Sequence, residues 1–284
     1  MKFFEFLINS NLFIALSAVT LTVASQVHFG WEPRLHPYLA VVFFATLADY
    51  NFHRIISFSS RSIAVISSKY TWAARHIPLI RMILAGSCIG LLLSLFFVTY
   101  RNLIFLAPLA AVTLIYSVSN NNKYLGNLHI KQIPGIKTLL LALVWSAVTI
   151  FLPVINTANT ESNLQIMILF AQRFSFIFAI AIPFDIRDMD CDSKNGIKTI
   201  PMIFGEAGAL RISGFALLLS LAFALFSYSE NQALPQLAGY LISIIFAGIV
   251  IFSKKLLSKR YYYHGILDGS ILVQGILMII SYYL

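Results

Sequence analysis

The chain has 284 residues, 59% of them hydrophobic and only 11% charged, and its mean hydropathy is +0.82. This composition excludes a soluble globular domain and defines a polytopic membrane protein. Its formal charge of +9 comes from Lys and Arg scattered among short polar stretches, with no basic stripe or tract. That scatter excludes a nucleic-acid partner and leaves membrane topology as its cause.

A helix needs about 20 apolar residues to cross the hydrocarbon core. Moved along the chain, that requirement predicts nine spans, at 10–28, 37–58, 79–99, 102–119, 136–156, 163–184, 207–228, 233–252 and 265–284. The expectation is therefore an all-α, polytopic helical bundle occupying 1–284 as a single transmembrane domain. Lys2 and Glu5 make a weak n-region before the first apolar stretch and no convincing cleavage site follows it, so it reads as a retained span. Breaks fall at His36-Pro37, at Pro78, at 119–134 and between Ser253 and His264, where Pro, Gly, Asn and charges gather. Cys88 and Cys191 make no disulfide framework, and Tyr261, Tyr262 and Tyr263 read as interfacial anchors before the last span.

With this topology, all but Arg34, Arg101 and Arg173 of the 20 Lys and Arg fall on one side. The positive-inside rule then makes the N-terminus and the loops after spans two, four, six and eight cytoplasmic. Arg173 and its neighbour Gln172 lie near the bilayer centre, where a charge faces the bundle interior. Pairing with buried hydroxyls or amides and a role toward substrate are both open for it. Asp268, in the first turn of the last span, lies at the depth of the cytoplasmic face.

The segment Phe184 to Pro201, FDIRDMDCDSKNGIKTIP, holds Asp185, Asp188, Asp190 and Asp192, four of the chain's 11 acidic residues. If the sixth helix continues past Phe184, steps of about 100° place Asp185, Asp188 and Asp192 within about 60° of one another and turn Asp190 away. Three carboxylates there repel each other and also meet the negative pole of the helix. A divalent cation relieves both penalties. Oxygen ligands select Mg²⁺, which is typically shared between carboxylates, waters and phosphate oxygens, and so they point to a phosphorylated substrate. Lys194 and Lys198 follow around a turn at Asn195-Gly196 and offer cationic contacts for a diphosphate. The plainer alternative is a solvated loop whose acids balance its lysines. No zinc, P-loop, dinucleotide-binding or Ser/His/Asp signature is present.

These residues resemble the second aspartate motif of the UbiA superfamily of intramembrane prenyltransferases, D-x-x-D-x-x-x-D followed by K-x-G-x-x-T-[IL]-P. Asp185, Asp188, Asp192, Lys194, Gly196, Thr199, Ile200 and Pro201 match in order, and FGEAGA at Phe204 to Ala209 is similar to the family's continuation. The resemblance implies about nine helices around a central lipid-accessible cavity. At its cytoplasmic mouth Asp185, Asp188 and Asp192 would bind Mg²⁺ and serve catalysis, with an isoprenyl diphosphate as donor. The acceptor it implies is lipophilic, often the aromatic ring of a quinone-type precursor.

The family's first motif, N-D-x-x-D-x-x-x-D, meets Ala48-Asp49-Tyr50-Asn51-Phe52-His53-Arg54 here, and in either register at least two acids are missing. Asp49, Asn51, His53 and Arg54 could bind phosphate directly, Arg54 replacing a metal's charge, or could be ordinary polar residues at a helix end. Tyr116 stands where the family carries a Tyr, with Lys123 and Lys131 later in the same loop. The eroded first motif leaves a second reading beside prenyl transfer: a non-catalytic relative that binds a lipid or quinone.

Overall fold

The computed structural model describes residues 3–59, 72, 75–118, 133–157, 162–194, 196–231 and 233–284, and every regular element among them is helical. In chain order these are α1 (Phe3–Asn9), α2 (Leu12–His28), α3 (Pro37–Ser59), α4 (Ile77–Leu95), α5 (Tyr100–Val118) and α6 (Ile136–Ile155). There follow α7 (Asn163–Lys194), α8 (Ile200–Asn231), α9 (Leu234–Phe252), the short α10 (Lys254–Leu257), a π-helical turn at Tyr262–Leu267 and α11 (Asp268–Ser281).

Helices stand at all nine expected positions, but among the described residues only seven are long and apolar enough to cross a membrane. An eighth exists if α1 and α2 count as one span bent by 76°, and the apolar stretch of α5 is shorter, at Tyr100–Tyr116. The expected count of about nine is thus approximate, with seven or eight such helices among the described residues. At the first span the physical reason is Asn11, whose φ of 64° in the left-handed region breaks the helix.

That break is held from α3. Asn11 donates its amide to Asn51 Oδ1 at 3.1 Å, and Asn51 donates in turn to the carbonyls of Ser10 at 3.1 Å and Leu47 at 2.8 Å. Arg54 donates to Asn11 Oδ1 at 2.7 Å and also to the Asn9 carbonyl. Free carbonyls at a chain corner need donors once water is excluded, and these side chains supply them.

Pro183 and Pro153, inside α7 and α6, are compensated the same way. Pro183 cannot donate to the Ala179 carbonyl four residues back, and Ser213 of α8 donates to that oxygen at 2.8 Å. Pro153 frees the Thr149 carbonyl, which accepts from Ser25 Oγ at 2.8 Å and from Arg173 Nη1 at 3.5 Å. Arg173 is buried and also meets the hydroxyls of Ser25 and Thr149. Of the two roles open for it, the structure shows the pairing with buried hydroxyls.

α7 and α8 pack antiparallel, α2 lies against α11, and α6 packs on α7, burying Phe176, Ile177, Ile180, Leu21 and Leu152 between them. Beside Arg173 a cavity of about 10 Å³ is lined by polar groups of His28, Gln172, Tyr228, Tyr240 and Gln274. At 1.5 Å rise per residue Arg173 lies about 18 Å along α7 from Asp185, so this polar layer and the aspartates occupy different depths of the bundle.

The three tyrosines expected as surface anchors separate. Tyr261 donates to Glu5, whereas Tyr262 is 2% exposed and donates to the Val250 carbonyl at 3.0 Å. The ring of Tyr263 lies 4.7 Å from the Arg187 guanidinium. An interfacial belt is corrected to a core residue and a site-wall residue, because one extra residue in the π-turn rotates the chain ahead of α11.

Candidate functional site

α7 continues past Phe184 to Lys194, so Asp185, Asp188 and Asp192 share one helical face. Asp185 and Asp192 are buried, Asp188 is partly buried, and Asp190 is exposed on another side. The face meets the N-terminus of α6. There Lys137 Nζ lies 2.7 Å from Asp192 Oδ2, 3.3 Å from Asp185 Oδ1 and 4.0 Å from Asp188 Oδ2. Thr138 donates its hydroxyl to the other oxygen of Asp185. The N-terminal pole of α6 adds positive potential to the ammonium, offsetting the negative pole at the end of α7.

Arg187 closes the opposite side. It forks onto Asp188 with Nε–Oδ1 2.9 Å and Nη2–Oδ2 2.8 Å, and its guanidinium lies over the adjoining rings of Phe184 and Tyr263, 5.0 and 4.7 Å from their centres. Its Nη1 lies 3.1 Å from His264 Nε2, and His264 Nδ1 lies 3.4 Å from the buried carboxylate of Asp268. Asp268 is thereby joined to the site through one imidazole and one guanidinium.

The backbone fixes this geometry at two glycines. Gly196 has φ 67° and ends α7, its N–H donating to the Ser193 carbonyl at 3.1 Å while Ile197 N donates to Asp192 O at 2.9 Å. Gly135, with φ 73°, donates to the Lys198 carbonyl at 3.1 Å and starts α6 two residues before Lys137. A Cβ there would sit 3.0 Å from Ile200 Cγ1. Gly135→Ala is accordingly expected to cost about 1–2 kcal/mol and lower the thermal unfolding midpoint of the detergent-solubilised protein. An unchanged midpoint would show that this junction tolerates a side chain.

Lys194 and Lys198 are exposed at the same end and form no ion pair among the described residues. Tyr116, at the end of α5, lies within electrostatic reach of Lys137, Asp185 and Asp192. Of the first-motif positions, Asp49 and His53 face one another at 3.5 Å on a half-exposed turn of α3, and Tyr50 lies in the field of both Asp49 and Asp268. Asn51 and Arg54 have their side chains in the α1–α2 corner. Asn195, Lys123 and Lys131 lie outside the described residues.

Sequence reasoning missed Lys137, Thr138 and Arg187, having counted the two cations only toward topology. One signal was available: Lys137 is the sole charged residue between Ile136 and Ile155, and an isolated charge in an apolar span needs a partner.

As the side chains stand, no three His, Cys, Asp or Glu among the described residues are close enough to chelate a metal. The three carboxylates instead surround an ammonium, each within 4.0 Å of it. This all-oxygen donor set around a cationic centre fits a hard cation that completes its shell with phosphate and water oxygens, once Lys137 is displaced.

Solved structures share the fold. A UbiA homologue from Archaeoglobus fulgidus bound to DMAPP and Mg²⁺ is 15% identical with a TM-score of 0.57, over 96% of this chain and 98% of that one. An apo UbiA homologue from Aeropyrum pernix K1 is 16% identical with a TM-score of 0.56, over 94% of each chain. A digeranylgeranylglyceryl phosphate synthase is 16% identical with a TM-score of 0.54, over 98% of this chain and 95% of its own. No curated sequence is similar enough to count as a match. The model of the UbiA prenyltransferase family matches residues 12–265, and the chain belongs to that family.

Proposed function

We propose that the protein transfers an isoprenyl group from an allylic diphosphate to a lipophilic acceptor at the end of the bundle carrying Asp185, Asp188 and Asp192, and that this end is cytoplasmic. One observation carries the reading: three carboxylates from one face of α7 gather on a single cationic centre, beside the exposed Lys194 and Lys198. Such an arrangement suits a site that alternates between a protein cation and a diphosphate with its metal.

Asp185, Asp188 and Asp192 would hold Mg²⁺, the ion bound together with DMAPP in the Archaeoglobus fulgidus homologue. When bound, the ion neutralises charge on the diphosphate and on the group as it departs. Lys194 and Lys198 contact the diphosphate oxygens from the loop. The allylic C–O bond breaks with its electron pair leaving on the diphosphate, the acceptor supplies the pair for the new C–C or C–O bond, and the acceptor's proton is released. Phe184 and Tyr263 supply aromatic wall around Arg187 at this level, limiting water where an allylic cation would form. Asp49 and His53 are the first-motif positions left for the substrate, and an aromatic quinone-type precursor is the acceptor class we favour.

A second reading, lipid or quinone binding without transfer, is favoured by the engagement of Asn51 and Arg54 in the α1–α2 corner. Binding of geranylgeranyl diphosphate to the purified protein, with Mg²⁺ and with EDTA, tests the site. Pyrophosphate release in the presence of an aromatic acceptor panel then tests transfer. Mg²⁺-dependent binding with release is the expected result. Binding without release would support the second reading, and no Mg²⁺-dependent binding would reject the transferase.

A further inference from the structure

We propose that Lys137 is a resident counter-cation that keeps Asp185, Asp188 and Asp192 from taking a divalent cation until a diphosphate is bound, so that metal and diphosphate load together. The inference rests on the functional reading above and adds a residue and an order of binding to it.

The charges set the problem. Three carboxylates carry −3, and Lys137 and Arg187 supply +2, so the resting cluster is left with a formal −1. That is a weak attractant for a dication. It is also a condition for folding, because Asp185 and Asp192 are buried and uncompensated carboxylates at such depth are costly.

The two cations differ in freedom to leave. Arg187 is forked onto Asp188, packed over two aromatic rings and tied to His264. Lys137 is a point charge on a flexible stem, its side chain 28% exposed, and it contacts all three carboxylates at once. It occupies the position a shared metal would need.

Among the described residues the ion-pair partners of Lys137 are those three aspartates, and the rest of α6 carries no charge. A metal arriving alone therefore parts the ammonium from all three of these carboxylates. A diphosphate removes that penalty, since its oxygens accept the ammonium while the metal takes over the carboxylates. The two ligands thus favour one another through one side chain, and the coupling is reciprocal.

The test is Mn²⁺ binding, read as loss of the free-ion EPR signal, with the purified full chain and no diphosphate. K137M is expected to bind Mn²⁺ at least about tenfold more tightly than wild type, because the competing charge is gone, whereas K137R stays near wild type. K137M no tighter than wild type would overturn the proposal, as would K137R matching K137M, which would mean that bulk and not charge controls entry. Thermal unfolding is followed in parallel, and K137Q replaces K137M if the latter does not fold. Mg²⁺-dependent binding of geranylgeranyl diphosphate by wild type is measured on the same preparation. If that is intact and Mn²⁺ affinity is insensitive to Lys137, the counter-cation role alone falls; if it is missing, the functional reading falls with it.

Discussion

Asp188→Asn combined with Asp192→Asn is expected to weaken Mg²⁺-dependent binding of geranylgeranyl diphosphate by roughly a hundredfold. Each change keeps the side-chain shape and removes a negative hard-oxygen ligand. It also frees cations: Lys137 loses its 2.7 Å partner Asp192, and Arg187 loses the carboxylate it forks onto. Those groups can then meet the diphosphate themselves. The expected signature is therefore a loss of metal dependence greater than the loss of binding in EDTA. Titration with the ligand in Mg²⁺ and in EDTA distinguishes the two, and a double variant with wild-type Mg²⁺ dependence would remove these aspartates from the site.

Asn51→Ala should instead destabilise the protein, by about 3 kcal/mol, with little effect on diphosphate affinity in the folded fraction. Asn51 is fully buried and makes three hydrogen bonds, to the Asn11 amide and to the carbonyls of Ser10 and Leu47. Truncation leaves the Asn11 amide and the Ser10 carbonyl without this partner in a region closed to water. A lower thermal unfolding midpoint together with unchanged ligand affinity is the expected pair of measurements. The opposite pair, unchanged stability and lost affinity, would return Asn51 to a phosphate-binding role.

That contrast marks where sequence reading reached its limit. The spacing at Asp49 to Arg54 resembles a remnant of the family's first motif, and spacing cannot distinguish a phosphate ligand from a corner brace. The distinction lies with Asn11, 40 residues away from Asn51, and with the left-handed turn it makes. Tyr262 is a similar case. Its place among three consecutive tyrosines suggests a membrane surface, and the π-turn instead directs it into the core.

Hydropathy located the helices, because lipid requires every backbone polar group to be satisfied within an apolar segment of sufficient length. Helical periodicity grouped Asp185, Asp188 and Asp192 and turned Asp190 outward, because residues three and four apart share a face whatever surrounds the helix. The turn at Gly196 was legible because glycine adopts positive φ without a Cβ penalty. Periodicity says which side of a helix a residue occupies and nothing of what that side meets. Lys137 reaches Asp192 across 55 residues, and His264 reaches Arg187 across 77. Only the packing of α6, α7 and the π-turn brought those charges together, since their attraction acts over a few ångströms and the chain's fold alone sets that distance.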